Sequence, residues 1–120
     1  MKTWLLVGAA NGFLAVLAGA FAAHLLQGRI DAAALAVFQT AANYHLVHAL
    51  AIVAASFAAQ RGAGKRARLA AWLFTTGIVL FCGSLYFTVL AHSNALVLIT
   101  PVGGISLLAG WLALAAAAFD

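Results

Sequence analysis

Four long stretches without a formal charge constrain this chain more than any other feature. All eight ionised side chains fall outside them. The uncharged stretches are residues 3–23, 32–60, 69–91 and 96–119. A hydrocarbon core about 30 Å thick needs roughly 20 apolar residues of helix to cross it. The sequence therefore predicts one transmembrane domain over residues 1–120, an all-α integral membrane four-helix bundle. The expected helices cover about 3–27, 32–60, 67–91 and 101–119.

Composition excludes several classes of protein. The chain is 67% hydrophobic and 7% charged, whereas a soluble domain has about 45–50% apolar and about 25% charged residues. Such a chain is neither a soluble enzyme nor a disordered protein, and no nucleic-acid partner is expected. The single cysteine leaves no internal disulfide and no thiolate metal cage. Continuous apolar runs favour helices, because barrel strands alternate apolar and polar residues.

The distribution of cations predicts the orientation in the membrane. One side of the predicted topology carries five of the six Lys and Arg residues, namely Lys2, Arg61, Lys65, Arg66 and Arg68. Because short cytoplasmic loops are enriched in Lys and Arg, both termini and the second-to-third loop are expected in the cytoplasm. The same cations can also attract anionic headgroups, at about 1 kcal/mol each, although an orientation signal alone explains them.

Local signals predict three helix ends. Gly28 can close the first helix in a left-handed conformation, and Asp31 can cap the second helix through its carboxylate. Thr100 followed by Pro101 predicts an N-cap and a first helical position, because proline has no N–H to lose there. The apolar residues 96–99 before them are then expected to be non-helical and to pack onto the bundle.

Small residues predict the faces on which the helices pack. No hydrophobic drive acts between helices in lipid, so close approach and polar contacts supply the association. The expected packing positions are Gly8, Gly12, Gly19, Gly77, Gly83, Gly103, Ser106 and Gly110. Asn11, deep in the first helix, is expected to make an interhelical hydrogen bond of about 0.6 to 2 kcal/mol.

Polar side chains inside the spans are the candidates for function, because such residues are rare in membranes. No span contains a carboxylate. With the predicted orientation, polar residues from all four helices converge on the outer-leaflet half. This expected cluster consists of His24, Asn43, Tyr44, His48, Ser84, Tyr86 and Thr100. We expect it to be structural or to bind a lipid-like ligand or a partner, since no catalytic motif is present and no cofactor is implied.

Two alternatives stay open at this stage. His24, His45 and His48 are weak candidates for metal ligands, since transition metals usually take three or four ligands. Haem would instead need histidines on different helices, such as His24 with His48. A metal, haem or quinone site could be built on His24, His48 and Tyr86. A proton relay or transport role through His48 would require an oligomer. Besides the bilayer, a second copy or another membrane protein is a possible partner.

Several segments together resemble a known family. They are residues 19–24 (GAFAAH), 38–50 (FQTAANYHLVHAL), 81–86 (FCGSLY), 99–104 (ITPVGG) and the closing pair 110–111 (GW). These motifs resemble the YgdD/YwdK-like family of small membrane proteins, domain of unknown function 423. The resemblance implies a four-helix protein of the bacterial inner membrane, with no established activity.

The family pattern also singles out particular positions. It falls on Gly19, His24, Tyr44, His48, Gly83, Ser84, Tyr86, Thr100, Pro101, Gly103 and Gly104. His45 departs from the pattern, which commonly has Gln there, and Cys82 stands where Ser is usual. The resemblance therefore favours His24 with His48 over a metal site built on His45.

Overall fold

The computed structural model describes residues 2–62 and 64–120. Within those residues it contains helices and turns and no strand. Four helices are long and apolar enough to cross a membrane. They are α1 (Lys2–Leu26), α2 (Ala32–Gln60), α3 (Gly64–Leu90) and α4 (Ile99–Ala117). The predicted all-α membrane architecture is confirmed, while the side on which the termini lie stays a prediction.

Two of these helices contain a π-helical segment that the sequence analysis did not anticipate. Helix α1 is α-helical over Lys2–Phe21 and π-helical over Ala22–Leu26. Helix α3 is π-helical over Ile78–Cys82, between α-helical Gly64–Gly77 and Gly83–Leu90. A π-helical turn widens the helix and changes which residues face a neighbouring helix, and such turns are frequent at functional sites.

The connection between α1 and α2 follows the predicted local signals. Gly28 has a φ of 85°, a left-handed conformation that glycine adopts without steric cost. The Asp31 carboxylate accepts a 2.7 Å hydrogen bond from the backbone N–H of Ala34, and this satisfies one of the unpaired donors at the start of α2. Both predictions are confirmed.

The start of α4 differs from the prediction. The helix begins at Ile99, two residues before Pro101. Leu98 is the N-cap, so Thr100 lies inside the helix, and its hydroxyl makes a 2.5 Å hydrogen bond with the hydroxyl of Ser84 on α3. Pro101 falls within the first turn of the helix, where its missing N–H still costs no intrahelical bond.

The loop before α4 also corrects an expectation. Val97 and Leu98 are 52% and 82% exposed, whereas Leu96 and Ile99 are half-buried, so only part of this stretch packs onto the bundle. Cover by protein is not required, because the loop pairs part of its own backbone. The N–H of Val97 donates to the Asn94 carbonyl and that of Ile99 to the Leu96 carbonyl, at 3.2 and 3.0 Å.

The four helices form a flattened body of 48 × 27 × 17 Å. Helix α2 packs against α1 and α3, and α4 packs mainly on α3. The core lies along α2 and α3, where Ile52, Phe74 and Cys82 are fully buried. Large apolar side chains such as Leu6 and Leu112 are instead exposed on the outer faces. This distribution suits hydrocarbon surroundings, in which exposed leucine costs nothing.

Glycines allow the closest helix contacts. A Cβ on Gly8 would lie 2.7 Å from Cγ2 of Val53, and one on Gly110 would lie 2.7 Å from the ring of Phe74. A Cβ on Gly77 would overlap the side chain of Leu107. At Gly12 the fit is looser, with the nearest atom 4.0 Å away. Helix α1 therefore approaches α2 closely, and α3 approaches α4 closely, at positions where no residue larger than glycine fits.

Two predicted packing glycines occupy open space. A Cβ on Gly19 or on Gly83 would have no neighbouring atom within 4 Å. Gly19 lies between Ala18 and Ala20, which line a cleft where α1 stands away from α3. Gly83 directly follows the π-helical segment of α3, which alters the facing expected from a regular helical period. Ser106, in contrast, donates a 2.8 Å hydrogen bond to the Leu73 carbonyl across the α3–α4 contact.

Adjacent glycines on α4 provide a matched test of this packing. In Gly103→Ala the new Cβ would lie 2.7 Å from the carbonyl carbon of Leu80, so we expect destabilisation of about 1–3 kcal/mol. In Gly104→Ala the new Cβ would lie an ordinary 3.7 Å from the Phe81 ring. Alanine lowers the backbone entropy of the unfolded chain, so we expect a stabilisation of about 0.5–1 kcal/mol. Thermal unfolding in detergent measures both effects. Equal midpoints for the two variants would contradict the close α3–α4 approach.

Candidate functional site

The buried imidazole of His45 connects α2 to two other helices. Its Nδ1 lies 3.0 Å from the Tyr86 hydroxyl on α3, and its Nε2 lies 2.9 Å from Oδ1 of Asn11 on α1. The Asn11 amide nitrogen donates to the Val7 carbonyl at 2.9 Å, which makes its oxygen the atom that faces His45. His45 Nε2–H therefore donates to Asn11, and the Tyr86 hydroxyl donates to Nδ1. The predicted interhelical bond of Asn11 is confirmed.

His48, one turn further along α2, has the opposite arrangement of donors. Its Nδ1 lies 2.7 Å from the Tyr44 carbonyl, which can only accept, so Nδ1 carries the proton. Its Nε2 accepts a 3.0 Å hydrogen bond from the indole N–H of Trp111 on α4. Because the indole can only donate, this bond requires a neutral imidazole. His48 thus joins α2 to α4 as His45 joins α2 to α1 and α3.

These two histidines have no free ring nitrogen. A metal would have to displace Tyr86 or Asn11 from His45, or Trp111 from His48. Within residues 2–62 and 64–120, no group of three or more His, Cys, Asp or Glu side chains is placed to hold a metal ion. In this arrangement both imidazoles act as hydrogen-bonding connectors between helices.

A third polar contact joins α3 to α4. The hydroxyls of Ser84 and Thr100 are hydrogen-bonded to each other, and Ser84 also lies 2.9 Å from the Phe81 carbonyl. When Ser84 donates to that carbonyl, Thr100 must donate to Ser84. Both hydroxyls are then satisfied without water, as hydrocarbon surroundings demand. This pair has no general base beside it among the contacts of the described residues.

An apolar cleft lies between α1 and α3, with α2 at its floor. It encloses about 890 Å³ and is walled mainly by apolar side chains of α1. We call it the α1–α3 cleft. Three residues with polar groups line it, His24, His45 and Tyr86. His24 lies in the π-helical segment of α1 and lines the cleft.

A second, smaller cleft lies on the α4 side of α2. It encloses about 450 Å³, and Tyr44, His48 and Trp111 are among the residues that line it. The rings of Tyr44 and His48 stack there, with centroids 5.8 Å apart and an angle of 17° between the planes. Because the hydrogen bonds of His48 go to Trp111 and to its own helix, this cleft presents ring faces more than free polar atoms.

The expected polar cluster is therefore divided. His24 and Tyr86 line the α1–α3 cleft, His48 and Tyr44 line the second cleft, and Ser84 with Thr100 forms the third contact. The favoured pair, His24 with His48, faces two different clefts. Asn43 is exposed on α2 and belongs to none of these groups.

Sequence reasoning missed one member of the network and left the roles of two others incomplete. Trp111 entered the sequence analysis only as part of a family motif. An indole N–H inside a span nevertheless needs a hydrogen-bond acceptor, and a histidine within another span can supply it. Asn11 was expected to bond another helix, but no partner could be assigned. His45 was set aside because it departs from the family pattern, yet a Gln at this position can also donate to Asn11 and accept from Tyr86.

Taken together, the four spans and the polar contacts between them define a small multi-pass membrane protein. The family described as "Protein of unknown function (DUF423)" matches residues 18–104. The chain belongs to this family, and the predicted family membership is confirmed.

Curated relatives support the same conclusion over nearly the whole chain. The UPF0382 membrane protein YwdK of Bacillus subtilis is 40% identical over 119 residues, which cover 98% of this chain and 97% of YwdK. The Haemophilus influenzae UPF0382 membrane protein is 41% identical over 116 residues, covering 97% and 93%. The UPF0382 inner membrane protein YgdD of Escherichia coli is 39% identical over 113 residues, covering 89% and 82%. These names agree with the predicted location in the bacterial inner membrane. No solved structure matches the chain significantly.

Substitutions of His45 test its bridging role. His45→Leu would leave Asn11 and Tyr86 without their interhelical partner, and we expect a loss of about 1–2 kcal/mol in the free energy of unfolding. His45→Gln keeps one donor and one acceptor, so we expect less than about half that loss. Unfolding in mixed detergent micelles measures both.

The same variants combined with Asn11→Ala form a double-mutant cycle. The loss in unfolding free energy caused by Asn11→Ala should persist in the His45→Gln background and vanish in the His45→Leu background. A leucine variant as stable as the original protein would show that the bridge contributes nothing.

Proposed function

We propose that this chain is a non-enzymatic membrane protein that binds the apolar chain of a lipid-like amphiphile in the α1–α3 cleft. The cleft carries the proposal. Its volume of about 890 Å³ lies within the range of small-molecule sites, about 300–1,000 Å³. Its walls include Leu14, Leu17 and Leu25, which are 50%, 56% and 50% exposed. A chain can therefore enter sideways from the hydrocarbon.

The polar groups of the cleft favour a ligand with one polar end. His45 and Tyr86 already hydrogen-bond to each other, so they offer ring surface to a ligand. His24 is exposed, and its imidazole makes no hydrogen bond to another described residue. It lies two residues before the end of α1, where a span approaches the membrane–water boundary. The imidazole of His24 is thus available to a headgroup while the tail extends along α1.

The other functions considered have less support. Haem or metal binding would require His45 or His48 to abandon hydrogen bonds that join helices. A proton relay through His48 would end at the Tyr44 carbonyl, which cannot pass a proton on. A quinone with an isoprenoid tail is an amphiphile with hydrogen-bond acceptors and fits the same cleft. Assembly with a second copy or another membrane protein stays a prediction.

Photo-crosslinking tests this proposal directly. The probe is a diazirine-bearing palmitic acid added to the protein in phosphatidylcholine nanodiscs. We expect saturable labelling of the α1 residues that line the cleft, competed by unlabelled palmitate. In Ala18→Phe the new ring fills the cleft, and saturable labelling should fall about tenfold. His24→Leu should weaken it about fivefold, the value of one hydrogen bond.

The matched control is Ala9→Phe, which places the same ring on an exposed face of α1 away from the cleft. It should label like the original protein. Competition by a long-chain quinone at much lower concentrations than by palmitate would identify the quinone as the preferred ligand. Uniform, non-saturable labelling of all exposed helix faces would refute a binding site, since it would reflect bulk lipid alone.

A further inference from the structure

Cations gather at one end of the helix bundle, where α2 ends and α3 begins. Five of the six Lys and Arg residues belong to this end, and we call it the basic end. The chain has two acidic side chains. Asp31 caps α2 at the opposite end, so Asp120 is the acidic side chain near these cations.

Asp120 is already paired. The guanidinium of Arg66 lies 3.3 Å from its carboxylate and also donates a 3.0 Å hydrogen bond to the Ala116 carbonyl at the end of α4. This is the one ion pair within residues 2–62 and 64–120. Arg61, Lys65 and Arg68 are exposed and have no carboxylate partner in the described part of the chain. The basic end thus has an unbalanced positive charge.

A groove at the basic end combines this charge with an apolar wall. It encloses about 390 Å³ and is lined by Ala58, Arg61, Leu114, Ala117, Ala118 and Asp120. Arg61 directly follows the last residue of α2, and Ala117 is the last residue of α4. Because two spans end here, the groove lies where hydrocarbon gives way to headgroups.

We propose that this groove binds an anionic glycerophospholipid, with its phosphate on the Arg61 guanidinium and an acyl chain along Leu114. Guanidinium binds phosphate through two parallel hydrogen bonds, which a lysine ammonium cannot match. The carbonyl ends of α2 and α4 disfavour an anion here. Arg66 offsets this effect at α4 by binding the Ala116 carbonyl, and it also neutralises Asp120. The apolar wall favours a lipid over free phosphate.

The test measures lipid binding to the purified full chain by native mass spectrometry. Dioleoyl phosphatidylglycerol and dioleoyl phosphatidylcholine are compared, and inorganic phosphate forms a third arm. We expect phosphatidylglycerol to bind at least about tenfold more tightly than phosphatidylcholine, with inorganic phosphate leaving phosphatidylglycerol binding unchanged. Arg61→Gln should remove this preference.

Lys65→Gln is the matched control, because it removes the same charge from the same end without touching the groove. It should reduce phosphatidylglycerol binding by no more than about twofold. Equal losses in the two variants would show diffuse attraction to the basic end and overturn the groove site. Equal binding of the two lipids by the original protein, or competition by inorganic phosphate, would overturn it as well.

Discussion

A polar group in hydrocarbon must find its partner inside the protein, and this constraint organises the whole bundle. Hydrophobic association cannot hold helices together in lipid, since lipid tails are as apolar as leucine. Two histidines on α2 therefore supply much of the specificity. His45 reaches Asn11 on α1 and Tyr86 on α3, and His48 reaches Trp111 on α4. Since each bond crosses to a different helix, the central helix fixes the position of all three neighbours.

The positions of the charges predicted most of the architecture. Spans, turns and the Asp31 cap follow from costs that act locally, such as the cost of placing a charge in hydrocarbon or leaving an N–H unpaired. The start of α4 was misplaced because Thr100 has a partner on another helix. A local rule treats its hydroxyl as a cap, whereas the tertiary structure brings it to Ser84.

The site was less predictable, because it depends on which residues face one another across helices. The sequence analysis identified polar residues within the spans, but it predicted a single cluster where the structure has three separate groups. His24 lies within one π-helical segment and Gly83 directly follows the other, and a regular period of 3.6 residues does not predict which neighbour such residues face. The two clefts on opposite sides of α2 likewise arise from the flattened arrangement of the helices.

The account depends most on the claim that His45 and His48 are neutral connectors with opposite tautomers. Nitrogen-15 NMR of the imidazole rings, in labelled protein at neutral pH in lipid nanodiscs, measures this directly. The chain has four histidines, so the two rings are identified by the signals lost in His45→Gln and in His48→Gln. The structure predicts that the His45 ring is protonated at Nε2 and the His48 ring at Nδ1. The same tautomer at both positions, or a doubly protonated ring at either position, would contradict the network and the helix arrangement built on it.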